Sequence, residues 1–244
     1  MLLTVASATV ADAHAPARIF YINLDQRTNR RSFMDSWLHR QSVPFDRVTP
    51  QPGLAGGCHG NRTDANCFAI TSLLRTNLHI MEKLNTSGYT LVLEDDVAVA
   101  HTDTLLDIVA KHVPGDWDVV RFDCWGNISK RVAPLPGHPM TFRMGKKSKI
   151  CGGTHAVLWR ERSVAKLRRV FLEDQDGVVG NYQGIDCRLN TRNVVSSNET
   201  FGSYCVQANV ARIKHTLGSD IPHCRERAHT TALCEKSKNS RWVG

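Results

Sequence analysis

A chain of 244 residues with 41% hydrophobic content is long enough to bury one sizeable core, and its composition excludes a disordered, collagenous or solenoid protein. Basic residues outnumber acidic ones 31 to 23, giving a formal net charge of +8, so anionic partners are expected: nucleotide diphosphates, acidic glycans, membrane surfaces or nucleic acid. The densest basic groups (Arg27, Arg30, Arg31; Lys146, Lys147, Lys149; Arg160, Arg162) alternate with apolar residues as solvated helix faces do, so no nucleic-acid partner is expected.

Residues 1–17 are set aside as a leader or possible signal segment: a short apolar run from Leu2 to Ala11 precedes the small-residue pattern of Ala11, Ala13 and Ala15, but no positive charge leads it. No other stretch has the 18 or so apolar residues of a spanning helix, and membrane association stays open. Arg18 to Leu24 is an apolar, β-branched and aromatic run that reads as a buried strand. Asp25 to Gln41 follows as a helix with Phe33, Met34, Trp37 and Leu38 on one face and Arg27, Arg30, Arg31 and Arg40 elsewhere. Residues 50–63, rich in Gly and Pro, read as a loop. Asp64 to Leu84 carries Ile70, Leu73, Leu74, Leu78 and Met81 at helical spacing, and Thr90 to Leu93 is a strand running into Glu94-Asp95-Asp96.

Thr102 or Asp103 is the expected cap of a third helix ending at Pro114-Gly115. Trp117 to Phe122 reads as a strand, 123–150 as a long basic loop or hairpin, Thr154 to Trp159 as a strand and Ser163 to Leu172 as a helix. Strands alternating with helices predict an α/β, Rossmann-like domain over 18–222, with a mostly parallel sheet flanked by helices. Residues 223–244 read as a polar tail. Ligands of such sheets bind beyond the carboxyl ends of the strands, which directs attention to Glu94-Asp96.

Eight cysteines (Cys58, Cys67, Cys124, Cys151, Cys187, Cys205, Cys224, Cys234) include no CxxC pair and no zinc-finger spacing. Their even number and the N-x-S/T sequons at Asn61, Asn85, Asn127 and Asn198 fit a disulfide-bonded protein of a secretory lumen (ER or Golgi) or a secreted one; buried free thiols in a cytosolic protein are the alternative.

Three adjacent carboxylates repel one another at a strand mouth, and a divalent cation relieves that repulsion. Mg2+ and Mn2+ prefer carboxylate oxygens and leave positions for phosphate oxygens, so Glu94 and Asp96 form a candidate metal pair facing a diphosphate. An exposed acidic turn ending the strand is the plainer reading.

The ordered series Ile22-Asn23-Leu24, Asp25-x-Arg27-x-x-Arg30-Arg31, Leu91 to Val97, Trp117-Asp118-Val119, Gly153 to Leu158, Ile185-Asp186 and Ser219-Asp220-Ile221 resembles glycosyltransferase family 25, over roughly residues 18 to 221. That family includes bacterial lipooligosaccharide galactosyltransferases and animal procollagen galactosyltransferases. The resemblance implies a GT-A type fold, a UDP-sugar donor (UDP-galactose above all), Mn2+ or Mg2+, and inverting transfer to a hydroxyl of a glycan or hydroxylated protein. Carried over residue by residue, Glu94 and Asp96 are the metal candidates, and Asn23, Arg27 and Glu94 the nucleotide-binding candidates. Asp186 and Asp95 are the catalytic candidates, with Asp186 the base that takes the acceptor hydroxyl's proton. Arg30 and Arg31 are expected to solvate the helix. The chain departs from the family where Ser72-Leu73 stands in place of Ser-His. His155 and His215 are secondary metal candidates, with structural or surface roles the plainer reading. A glycosyltransferase-like luminal protein that binds a glycan or partner without turnover is the competing class, and a metal-dependent nuclease or phosphatase using Asp118 and Asp123 the third.

Overall fold

The computed structural model describes residues 16, 18–53, 64–84, 88–124, 128, 132–145, 153–172, 185–189, 193–194 and 199–213. The asparagines of the four sequons, residues 1–15, His215, Ser219-Asp220-Ile221 and the polar tail lie outside them.

Strand β1 (Arg18–Ile22) is followed by α1 (Thr28–Leu38), β2 (Phe45–Val48), α2 (Asp64–Glu82) and β3 (Tyr89–Glu94). Next come β4 (Val97–Val99), α3 (Thr102–His112), β5 (Val119–Phe122), β6 (Thr141–Arg143), β7 (Ala156–Arg160) and α4 (Val164–Leu172), the last two joined by a 3-10 turn, Glu161–Ser163. Short elements complete the described residues: α5 (Ile185–Arg188), β8 (Asn193–Val194), β9 (Glu199–Thr200), β10 (Ser203–Val206) and β11 (Ala211–Ile213).

Seven strands form one sheet in the order β2-β1-β3-β7-β5-β10-β6. Pairings β1–β2, β1–β3 and β5–β10 are parallel; β7 runs antiparallel between β3 and β5, and β6 antiparallel beside β10. The expected α/β class and mostly parallel sheet are therefore both observed. Strand alternation divides the core in two. Ile19, Tyr21, Leu91, Leu93, Val120 and Leu158 pack with Met34 and Leu38 of α1 and Leu105, Leu106 and Val109 of α3. Phe20, Val92, Val119, Val157 and Trp159 pack on the other side with Leu74, Ile80 and Met81 of α2 and Leu167, Val170 and Phe171 of α4. Each such buried aliphatic or aromatic side chain contributes about 1.5–3 kcal/mol.

The helix ends follow from local chemistry. Val113, the residue before Pro114, is forced extended (φ −109°, ψ 129°), which stops α3. Its amino end is capped neither by Thr102 nor by Asp103 as expected, but by His101, whose ring nitrogen accepts from the Asp103 amide at 3.4 Å. The 123–150 stretch, expected as loop or hairpin, supplies β6, and Cys124 at its start is disulfide-bonded to Cys205 of β10. Cys67 is also disulfide-bonded. Gly202 permits a close chain crossing: a Cβ there would stand 2.2 Å from the Asp116 carbonyl oxygen. No helix among the described residues is long and apolar enough to cross a membrane.

Candidate functional site

Because β1, β2, β3, β5 and β10 share one direction, their carboxyl ends meet along one edge, joined there by the amino end of the antiparallel β7. Asn23 leaves β1 at this edge, Glu94 ends β3, Asp95 and Asp96 form the turn into β4, Asp123 follows β5, and Thr154 and His155 lead into β7. Residues scattered over more than a hundred positions of sequence are thus assembled by strand direction alone.

Asp95 is the centre of the assembly and is only 6% exposed. One carboxylate oxygen accepts from the Asn23 amide at 2.7 Å and the other from the Arg30 guanidinium at 2.6 Å. Arg30 is itself 4% exposed and also pairs with Asp96 at 3.4 Å. The expectation that Arg30 solvates its helix is therefore overturned. Arg30, Met34 and Leu38 are spaced i, i+4, i+8 and form the buried stripe of α1, so Arg30 faces the sheet and meets its edge where the acid triplet emerges. A carboxylate and a guanidinium buried together hold each other in place, since removing either strands a charge in low dielectric.

Asn23, 1% exposed, is occupied at both ends of its amide. Its nitrogen also donates to the Arg27 carbonyl at 3.2 Å, and its oxygen accepts from Arg47 Nε at 3.0 Å. In this structure Asn23 ties β1, the start of α1, β2 and the acid turn together. Arg27 stands half-buried at the amino end of α1. Arg47 of β2 was not singled out from sequence, because a charged residue in the short segment Phe-Asp-Arg-Val carries no periodic signal. Its guanidinium pairs with Asp25, whose carboxyl is held below its ordinary range chiefly by that hydrogen bond.

The repulsion within the triplet is met first by a protein cation. Asp95 is turned inward onto Arg30, and Glu94 and Asp96 remain partly exposed. Glu94 accepts from the Thr154 hydroxyl at 3.1 Å. Both Asp95 oxygens are bonded to buried partners, so in this structure it positions the turn. Among the described residues no three His, Cys, Asp or Glu side chains cluster in a way that would hold a metal. Two carboxylates do not make an all-protein cage, but they do fit a hard divalent cation that draws its remaining ligands from water and phosphate.

His155 is 2% exposed, and burial pushes its pKa down to about 4, so its imidazole is neutral at pH 7. Its carbonyl accepts from the Glu94 amide at 2.9 Å, fixing β7 against the triplet. Asp186 lies on α5, and its side chain is outside the described set. Asp118 and Asp123 do not join the triplet in a metal cluster. Asp118 sits at the opposite edge, bonded to Ser163 at 2.5 Å, Lys166 at 3.1 Å and the Gly202 amide at 2.7 Å. Asp123, in the left-handed region at φ 50°, accepts from the Ala208, Asn209 and Ala211 amides at 2.8, 2.7 and 2.6 Å, while burial raises its pKa. Both clamp backbone, and the nuclease or phosphatase reading loses its residues.

No protein-family model and no curated protein sequence matches this chain. Among solved structures it is similar to a glycosyltransferase involved in glycosylating the major capsid of PBCV-1, at 10% identity and TM-score 0.43, covering 78% of this chain and 79% of that one. It is also similar to the mannosyltransferase PcManGT of Pyrobaculum calidifontis, solved with GDP-Man and Mn2+, at 10% identity and TM-score 0.41 over 79% and 57% of the two chains. Galactosyltransferase LgtC, solved with donor and acceptor sugar analogues, follows at 14% identity and TM-score 0.39 over 79% and 73%.

Proposed function

We propose that the chain is a metal-dependent, inverting glycosyltransferase of GT-A type that transfers a sugar, galactose in the first instance, from a UDP-sugar to a hydroxyl of a glycan or hydroxylated protein. The observation that carries this reading is the convergence of the motif residues Asn23, Arg30, Glu94, Asp95, Asp96 and Thr154 at the carboxyl edge of a mostly parallel sheet, where α/β sheets bind nucleotides. In it, Glu94 and Asp96 hold Mn2+ or Mg2+ jointly with the donor diphosphate, and the cation would stabilise the negative charge of the departing nucleotide. Asn23, Asp95 and Arg30 orient those two carboxylates from beneath. Arg27 and Arg47, at the mouth of β1 and β2, are the cations placed to meet the nucleotide. Asp186 is the proposed base for the acceptor hydroxyl. The Cys124–Cys205 disulfide supports an oxidising compartment, the secretory lumen or the exterior, and the ordered motifs support a relationship with family 25.

Isothermal titration of the full chain with UDP and UDP-galactose, with and without Mn2+, tests the reading. Metal-dependent UDP binding that Asp96→Asn removes is the expected result. Absence of UDP binding by folded protein in the presence of metal would sink it and favour the non-catalytic glycan- or partner-binding alternative. Binding without turnover on hydroxylated acceptors would favour that alternative too.

A further inference from the structure

At the edge opposite the acid triplet, a cleft of about 340 Å³ opens between the start of β5, the end of β7 and the first turns of α4. Its charged walls are Asp116, Asp118, Arg160, Arg162, Lys166 and Arg169. Both acids are already engaged. Asp118 is held by Ser163, Lys166 and Gly202, while Asp116 accepts from the Tyr204 hydroxyl at 2.6 Å and pairs with Arg143 at 3.2 Å. The cleft is left with surplus positive charge.

That charge is also held in a fixed direction. The Arg160 guanidinium lies 4.1 Å over the Trp117 ring and donates to the Gly115 carbonyl at 2.9 Å, so its plane is set before any ligand arrives. Arg162, two residues on in the 3-10 turn, is exposed at the same cleft. Burial, and after it the neighbouring positive charge of Arg162, lower the Arg160 pKa. Two guanidiniums lining one cleft repel each other, a repulsion that a bound anion would relieve, and the planar fork of arginine matches tetrahedral oxyanions.

We propose that this cleft is an oxyanion site for a phosphate or sulfate ester group, separate from the acid edge and served by Arg160 and Arg162. Lys166 is largely committed to Asp118, so it contributes field rather than a direct contact. Nothing in this proposal depends on sugar transfer at the other edge.

The test is a heteronuclear NMR titration of the full chain with inorganic phosphate and, separately, with sulfate, at constant ionic strength. Saturable shifts confined to residues 116–118 and 160–169 are expected. Arg162→Glu, a substitution at an exposed position, should weaken binding at least about tenfold, the equivalent of roughly 1.4 kcal/mol, with the remainder of the spectrum unchanged. Arg160→Lys, which keeps the charge and loses the planar fork, should weaken it less. Tighter phosphate than sulfate binding assigns the site to phosphorylated ligands, and equal binding to either ester. The proposal is overturned if the shifts grow linearly with anion concentration without saturating, if Arg162→Glu binds as the parent does, or if the shifts gather at the acid edge.

Discussion

Asp95 at the carboxyl edge of the sheet and Asp118 at the amino edge are buried alike, 6% and 5% exposed, and both have their two oxygens occupied. Their partners differ. Asp95 depends on a deeply buried guanidinium from α1 and an amide from the end of β1. Asp118 has a lysine reaching in from a more open position, a hydroxyl and a backbone N–H. What each edge then shows to solvent also differs: Glu94 and Asp96 at the first, Arg160 and Arg162 at the second. A net charge of +8 therefore describes neither edge, since the first sets Glu94 and Asp96 beside Arg27 and Arg47 while the second carries a basic cleft, and a partner is chosen by the edge rather than by the total.

The comparison breaks most visibly at Arg30. Arg30→Met leaves Asp95 charged, buried and without its cation, and should cost about 3–5 kcal/mol in urea-induced unfolding. A loss below about 1 kcal/mol would mean that the guanidinium does not hold the acid turn.

His155 provides the next largest effect, through pH. Its folded-state pKa, about 4, is depressed below the ordinary value of 6.5 by burial. The unfolded chain therefore takes up the proton first as pH falls. The stabilisation is fully present above about pH 6.5 and is lost progressively down to about pH 4, amounting to about 3 kcal/mol. Unfolding free energies measured across this window should show a steeper slope in the parent than in His155→Gln, and equal slopes would refute the assignment.

Lys166→Met should cost less than Arg30→Met, about 1–3 kcal/mol, because Asp118 keeps the Ser163 hydroxyl and the Gly202 amide as donors. Equal losses in the two variants would erase the distinction drawn between the edges.

The smallest stability effect belongs to Asp96→Asn, within about 1 kcal/mol of the parent by thermal unfolding, since the lost 3.4 Å pair with Arg30 is offset by relief of repulsion in the triplet while Arg30 keeps Asp95. That near-neutrality separates the two acids: Asp96 is replaceable for folding, and Asp95 is not.

Much of the scaffold was legible along the chain. The continuous apolar runs of β1, β3, β5 and β7 and the helical spacing in α1 to α4 are consequences of which faces must be buried, and burial on two faces leaves a local signature. β2 was not legible, because half of Phe-Asp-Arg-Val is charged and the segment holds an edge position by pairing with β1 alone. The antiparallel insertion of β7 between β3 and β5 left no signature either, since Ala-Val-Leu-Trp reads the same in both directions. At the site, Glu94-Asp95-Asp96 and its place at a strand end were visible. Arg30 could have been read as inward from its register with Met34 and Leu38, but its charge argued for the surface.

The amino-acid sequence by itself determined the α/β class, the extents of the main strands and helices to within a few residues, and the location of an acid cluster at the mouth of a buried strand. All of these follow from local periodicity and from the cost of burying charge. Only the tertiary structure decided which acid turns inward, which arginine neutralises it, that Asn23 ties β1 to the acid turn, and that a second, basic cleft faces the other way. Those outcomes depend on partners up to 88 residues apart, as for Asp116 and Tyr204, and the energy of a buried charge is set by the group it meets there rather than by its neighbours in the chain.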